Sequence, residues 1–84
     1  MKTHELKIAP EFFDAVVRGD KTFEVRRDDR GFKVGDLLHL QEHDPDTHKW
    51  TGRACIRRVS YILPGGAYGI DKAFVVLALA EVYR

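Results

Sequence analysis

Short runs in which apolar and polar residues alternate are the feature of this sequence that most restricts its fold. Such runs occupy residues 4–8, 22–27 and 36–42, and the segments 53–63 and 74–83 are long and apolar enough for two further strands. A period of two is typical of strands that bury one face. Helical spacing is confined to one segment near the start of the chain. The sequence therefore predicts a mixed α/β domain that is dominated by strands.

The single predicted helix has recognisable ends. Pro10 suits the first turn of a helix, where its missing N–H has no partner, and Gly19 can take the left-handed conformation that closes a helix. Between them we expect about nine helical residues. The apolar residues at helical spacing are predicted to face the core; they are Phe12, Phe13, Val16 and Val17.

The third predicted element is a strand over residues 22–27. Its alternation predicts that Phe23 and Val25 point to the core and that Glu24 and Arg26 lie on the opposite face. Arg27 is then expected on the same face as Phe23 and Val25.

The later segments predict long antiparallel connections. Apolar residues change parity between Ile56 and Val59, which predicts a bulge near residues 57–58. Residues 43–52 are expected to form an exposed loop, and residues 64–69 a flexible glycine-rich loop. Together these elements favour a small antiparallel barrel or half-closed sheet with one N-terminal helix beside it.

Length and composition limit the class of protein. The 84 residues suffice for one domain, 1–84, and the hydrophobic and charged fractions of 44% and 32% are ordinary for a globular fold. The lone Cys55 favours a reducing compartment, and no apolar run reaches membrane-spanning length, so we expect a cytoplasmic protein without membrane contact. A net charge of +1 means that polyanion binding must depend on local charge clusters.

One such cluster contains Lys21, Glu24 and Arg26, and it has two interpretations. These side chains can form a solvated strand face whose pairs contribute at most about 1 kcal/mol each. Alternatively, they line a cleft in which the cations contact phosphate or base edges while Glu24 orients them.

The pattern Gly19-x-Lys21-Thr22-x-Glu24-x-Arg26, followed by the segment FKVGD, resembles the signature of ASCH domains, which are relatives of the PUA-like RNA-binding fold. The segments YILPGG and FVVLAL extend this resemblance toward a small uncharacterised bacterial and phage branch. The resemblance implies a compact β-barrel that binds RNA or a modified nucleotide through Lys21, Glu24 and Arg26. Arg27 is then an auxiliary phosphate contact.

Two alternatives stay open. One ASCH branch removes the acetyl group of acetylcytidine with a Lys-Thr-x-Thr-x-Arg pattern, which Lys21, Thr22 and Arg26 match. Glu24 stands at the position of the nucleophilic threonine, and a carboxylate does not replace an activated hydroxyl. The other alternative is an adaptor that binds a protein through a strand edge.

Aromatic and histidine residues give weaker signals. Two interpretations stay open for Trp50, Tyr61 and Tyr68: packing at the core or its rim, and stacking on an unpaired base. Tyr68 is the preferred stacking residue because glycines surround it. The histidines at 39, 43 and 48 reproduce no known ligand spacing, so we expect neither a metal site nor a cofactor.

Overall fold

We describe residues 1–82 in a computed structural model of the chain. One helix and five strands follow each other along the sequence: β1 (Thr3–Ile8), α1 (Pro10–Arg18), β2 (Phe23–Arg27), β3 (Leu37–Asp44), β4 (Lys49–Pro64) and β5 (Phe74–Glu81). The predicted β-dominated α/β class with a single N-terminal helix is confirmed. The predicted last strand extended to Tyr83, which lies outside the described residues.

The five strands form one curled sheet in the order β1-β3-β4-β5-β2. Three of its pairs are antiparallel, as expected for an antiparallel barrel or half-closed sheet, but β1 and β3 are parallel, which corrects the prediction for this pair. The chain leaves β1 through α1 and β2 before it returns as β3, and this long excursion permits a parallel pair. Because β1 and β2 are the two edges, the curled sheet is a half-barrel with a gap between them.

Helix α1 begins and ends as predicted. Pro10 occupies its first turn, and Gly19 follows it with φ of 84°, in the left-handed region. Phe13 and Val16 are buried against the sheet, but Phe12 and Val17 are about half exposed, so only two of the four predicted core positions are correct. A nine-residue helix on a curved sheet makes contact along one narrow stripe, and residues three apart fill it.

The core lies on the concave face of the sheet. Leu38 and Leu40 of β3, Val59 of β4 and Leu77 of β5 have no exposed surface. Burial of such side chains contributes about 1.5–3 kcal/mol each, which makes these strands the main source of stability.

The predicted faces of β2 are reversed. Phe23 and Val25 are 46% and 51% exposed, whereas Glu24 is only 4% exposed. Directly paired residues share a face of a sheet, and Glu24 pairs with Leu77, which lies in the core. The polar face of β2 therefore turns inward at the open side of the half-barrel.

The predicted bulge lies later in β4 than expected. Pairing with β5 shifts register between Val59 and Tyr61, and pairing of β3 with β4 shifts between Gln41 and His43. Ile56 is 44% exposed on the outer face, so its difference in parity from Val59 is ordinary alternation rather than a bulge.

The predicted loop at 43–52 is shorter than expected. Strand β4 begins at Lys49, so Trp50 and Gly52 belong to a strand. Within residues 1–82, no helix combines the length and the apolar character that a membrane crossing needs.

Candidate functional site

A cleft of about 580 Å³ opens in the gap of the half-barrel. The end of β1, the first turn of α1, strand β2 and the start of β5 surround it. Its lining residues are Lys7, Ile8, Ala9, Phe12, Lys21, Phe23, Glu24, Val25, Arg26, Arg27 and Phe74. A volume in this range is typical of small-molecule sites.

The carboxylate of Glu24 is the centre of the polar side of this cleft. The ammonium group of Lys21 donates to Oε1 of Glu24, and Nε of Arg26 donates to Oε2 at 2.8 Å. The structure thus brings together the three side chains that the sequence predicted to lie near one another, and their role in binding stays a prediction. Because Glu24 is buried, loss of either cation would leave a poorly solvated charge without full compensation.

Arginine side chains also connect the two edges of the sheet. Nη2 of Arg26 donates to the carbonyl oxygen of Lys7, and Nη1 of Arg30 donates to that of Glu5 at 2.9 Å. Both carbonyls belong to β1, while Arg26 belongs to β2. Side chains thus cross the gap that backbone pairing does not close.

Cations lie over the aromatic rings of the cleft. The Lys21 ammonium is 5.1 Å from the ring centre of Phe23 and 5.6 Å from that of Phe12, and the Arg27 guanidinium is 5.1 Å from that of Phe74. Such cation–π contacts contribute about 0.5–1 kcal/mol at exposed sites. They also hold the cationic groups beside flat apolar surfaces.

The cleft is much more positive than the whole chain. Among the described residues that line it, the cations Lys7, Lys21, Arg26 and Arg27 stand against the single carboxylate of Glu24, a net charge of +3. The whole sequence carries +1. Positive potential is therefore concentrated at the opening, where it attracts anions.

The preferred aromatic candidate of the sequence, Tyr68, is not brought to this cleft. It lies in the loop after β4 with 89% of its surface exposed and φ of 55°, and it is absent from the described lining. Tyr61 on β4 is exposed but also lies outside the lining. Trp50 is closer, because its ring centre is 5.6 Å from the ammonium group of Lys7.

Two buried carboxylates were missed by the sequence reasoning. Nε2 of His4 donates to Asp36 at 2.8 Å, and the backbone N–H groups of Lys2 and Lys33 also donate to it. These hydrogen bonds, that of His4 above all, lower the pKa of Asp36 to about 2. Asp36 therefore joins the turn before β3 to the start of β1.

Glu42 is the second missed carboxylate. Arg53 donates to both of its oxygens, at 2.8 and 2.7 Å, and the Thr51 hydroxyl donates at 2.5 Å. Hydrogen bonds from Arg53 and then Thr51 hold the pKa of Glu42 below its usual value. Arg53 also donates to Asp14 of α1. Glu42 follows Leu40 by two residues, so alternation along the strand places both on the same face. This spacing was the sequence signal that Glu42 is buried.

The histidines and the cysteine have other surroundings. His43 makes an edge contact with the Trp50 ring at 4.8 Å, and His39 lies 3.5 Å from Glu5. Across residues 1–82, no three His, Cys, Asp or Glu side chains converge as metal ligands would. Cys55 is partly buried beside the core, and burial raises the pKa of its thiol.

Fold and cleft together define a small half-barrel domain with a cationic, aromatic-lined cleft. The family model described as "Domain of unknown function (DUF3850)" matches residues 3–79. The chain therefore belongs to this family.

A relative from Escherichia phage P2, described as "Uncharacterized 12.9 kDa protein in GpA 3'region", is 44% identical over 41 residues. The alignment covers 49% of this chain and 38% of the phage protein. The match thus spans well under half the length of that relative, and it is a similarity between segments.

Proposed function

We propose that this protein binds RNA or a nucleotide in the cleft between β1 and β2, as an ASCH-type module of the PUA-like superfamily. The observation that carries the proposal is the convergence of aromatic rings and a net charge of +3 in one cleft of about 580 Å³. Nucleotides combine a flat apolar base with an anionic phosphate, and single-stranded RNA is recognised through both features.

The roles of the lining residues follow from their positions. Phe12, Phe23 and Phe74 offer ring surface on which a base can stack. Lys7 and Arg27 make no hydrogen bond to Glu24 and can pair fully with a phosphate. The Lys21 ammonium, which donates to Glu24 and to the carbonyl of Phe23, keeps a third N–H for the same ligand. Glu24 holds Lys21 and Arg26 in place and limits the excess positive charge of the cleft. This arrangement favours a ligand with both hydrogen-bonding and anionic groups.

Lys21 and Arg27 provide the direct test. Fluorescence anisotropy with a labelled single-stranded RNA is expected to show binding that weakens at least about tenfold in Lys21→Gln and in Arg27→Gln, since each variant removes a charge-assisted contact. Glutamine at position 21 retains an N–H donor for Glu24 and so protects the fold. Arg58→Gln is the matched control, because Arg58 is an exposed cation outside the lining of the cleft. Equal affinity in all four proteins would contradict the proposal.

Hydrolysis is an alternative outcome of these assays rather than a second proposal. Both oxygens of Glu24 already accept hydrogen bonds from cations, which opposes a role as a general base. Incubation with acetylcytidine and with short RNAs, followed by chromatography, would reveal any product.

A protein that binds neither probe would favour the adaptor alternative, since β4 exposes Ile56 and Tyr61. We place the protein in the cytoplasm as part of the same proposal.

A further inference from the structure

A second recess lies beside the cleft, on the β3–β4 hairpin. Its volume is about 140 Å³, and it is lined by Gln41, Glu42, Trp50, Gly52, Arg53 and Ala54. This volume is well below the roughly 300 Å³ at which ligand pockets for whole small molecules begin. The recess therefore suits one part of a larger ligand.

Trp50 forms the aromatic wall of this recess. It is the single tryptophan of the sequence, and 54% of its surface is exposed although it belongs to a regular strand. Its edge contact with His43, the residue opposite it on β3, holds the indole in place. A half-exposed indole with a neighbouring ring at its edge is a suitable surface for stacking a nucleobase.

Lys7 connects the two sites. Its side chain lines the cleft, and its ammonium group lies 5.6 Å from the centre of the Trp50 ring. Gln41, which lines the recess, is the residue paired with Lys7 across β1 and β3. A cation that lines the cleft and lies near the aromatic ring of the recess matches the repeat of a nucleic-acid strand, in which a phosphate separates consecutive bases.

Charge around the recess is compatible with an anionic strand. Its carboxylate, Glu42, is buried and neutralised by Arg53, which also pairs with Asp14. The polar groups that remain at the surface include the Gln41 amide, which can both donate and accept hydrogen bonds to a base edge.

We propose that Trp50 and its recess form a second base site, so that the protein binds single-stranded RNA of at least two nucleotides, with Lys7 contacting the phosphate between the two bases. This proposal rests on the proposed function of the cleft. It adds a ligand class, an oligonucleotide rather than a mononucleotide, and a second contact surface.

The fluorescence of Trp50 provides a direct test of the proposal. Titration with a short single-stranded RNA, such as a uridine hexamer, is expected to quench its fluorescence, whereas a uridine mononucleotide that occupies the cleft should leave the emission nearly unchanged. Trp50→Ala is expected to weaken hexamer binding by about 10- to 100-fold, the range of one lost stacking contact, and to change mononucleotide binding less than twofold. Trp50→Phe should retain most of the hexamer affinity.

Tyr61→Ala is the matched control, because it removes another exposed aromatic residue of β4 that lines neither the cleft nor the recess. Mononucleotide binding without a gain in affinity for the hexamer, or a hexamer affinity that Trp50→Ala leaves intact, would overturn the second base site alone. Failure of both probes to bind would overturn the function of the cleft and the second site together. Equal losses in Trp50→Ala and Tyr61→Ala would also count against a role specific to the recess.

Discussion

Buried carboxylates that accept hydrogen bonds from distant parts of the chain determine much of the local geometry. Among residues 1–82 these are Glu24, Asp36 and Glu42, and each is satisfied by donors that include a cation or a histidine. A buried charge is tolerated only with such partners. These residues therefore hold strands and turns in register, and Glu24 additionally orients the cations of the cleft.

Asp36 gives a prediction that depends on pH. Asp36→Asn is expected to lower the free energy of unfolding by about 1.5–3 kcal/mol at pH 7, because hydrogen bonds to a charged acceptor are lost. The pKa of Asp36 in the folded protein, about 2, is below the ordinary value of 3.8 for an aspartate. The contribution is therefore complete above about pH 4 and is lost as the pH falls toward 2.

Urea denaturation of both proteins at several pH values measures this effect. The difference between wild type and Asp36→Asn should shrink between pH 4 and pH 2. Asp28→Asn, at an exposed aspartate, is the control and should follow the wild type. A difference that is constant across this range would mean that the ionised carboxylate is not the source of the stability.

At the scale of elements, the loop between β4 and β5 depends on close backbone packing. A Cβ atom at Gly65 would lie 2.1 Å from the carbonyl oxygen of Asp71 and 2.3 Å from that of Phe74. The Asp71 carbonyl accepts the N–H of Phe74 in the turn that starts β5. Gly65 is therefore required because the backbone of this loop packs closely against the carbonyls of Asp71 and Phe74.

Gly65→Ala is expected to destabilise the fold by about 3 kcal/mol, because backbone atoms must move to relieve the overlap. Gly69→Ala is the matched control in the same loop. Its added Cβ meets nothing within 4 Å, so only the strain of φ at 78° remains, about 1 kcal/mol. Thermal unfolding compares the two variants. A smaller loss of stability for Gly65→Ala than for Gly69→Ala would contradict the close contact.

At the scale of the whole molecule, the contrast between a net charge of +1 and a local charge of +3 predicts how binding responds to salt. Affinity for single-stranded RNA should fall as salt rises, with a logarithmic slope of about 0.7 for each phosphate that is neutralised. Arg27→Gln should reduce the steepness by about 0.7, because it removes one such contact. Anisotropy titrations at four salt concentrations measure the slope.

Arg58→Gln again serves as the control, since it changes the net charge by the same amount away from the cleft. An equal reduction of the slope in both variants would indicate a general effect of charge and no specific contact at Arg27. A slope of zero in the wild type would exclude phosphate neutralisation as the basis of binding.

Features that depend on neighbours along the chain could be predicted from the sequence. Pro10 and Gly19 set the ends of α1, because the proline ring fixes its own φ and glycine readily takes the left-handed conformation. Both effects involve only one or two residues. Alternation located the strands and placed Glu24 and Arg26 on one face of β2, whereas Lys21 reaches Glu24 from the segment between α1 and β2.

Long-range strand pairing selects which face of each strand lies inside. Apolar Phe23 and buried Glu24 alternate on β2, and only pairing with β5, in a register that places Leu77 beside Glu24, selects the face that points inward. The same long-range pairing made β1 parallel to β3, excluded Tyr68 from the cleft and placed Trp50 near Lys7. Short-range sterics and periodicity carry no information about such partners, because they extend over a few residues, whereas the paired residues are tens of positions apart.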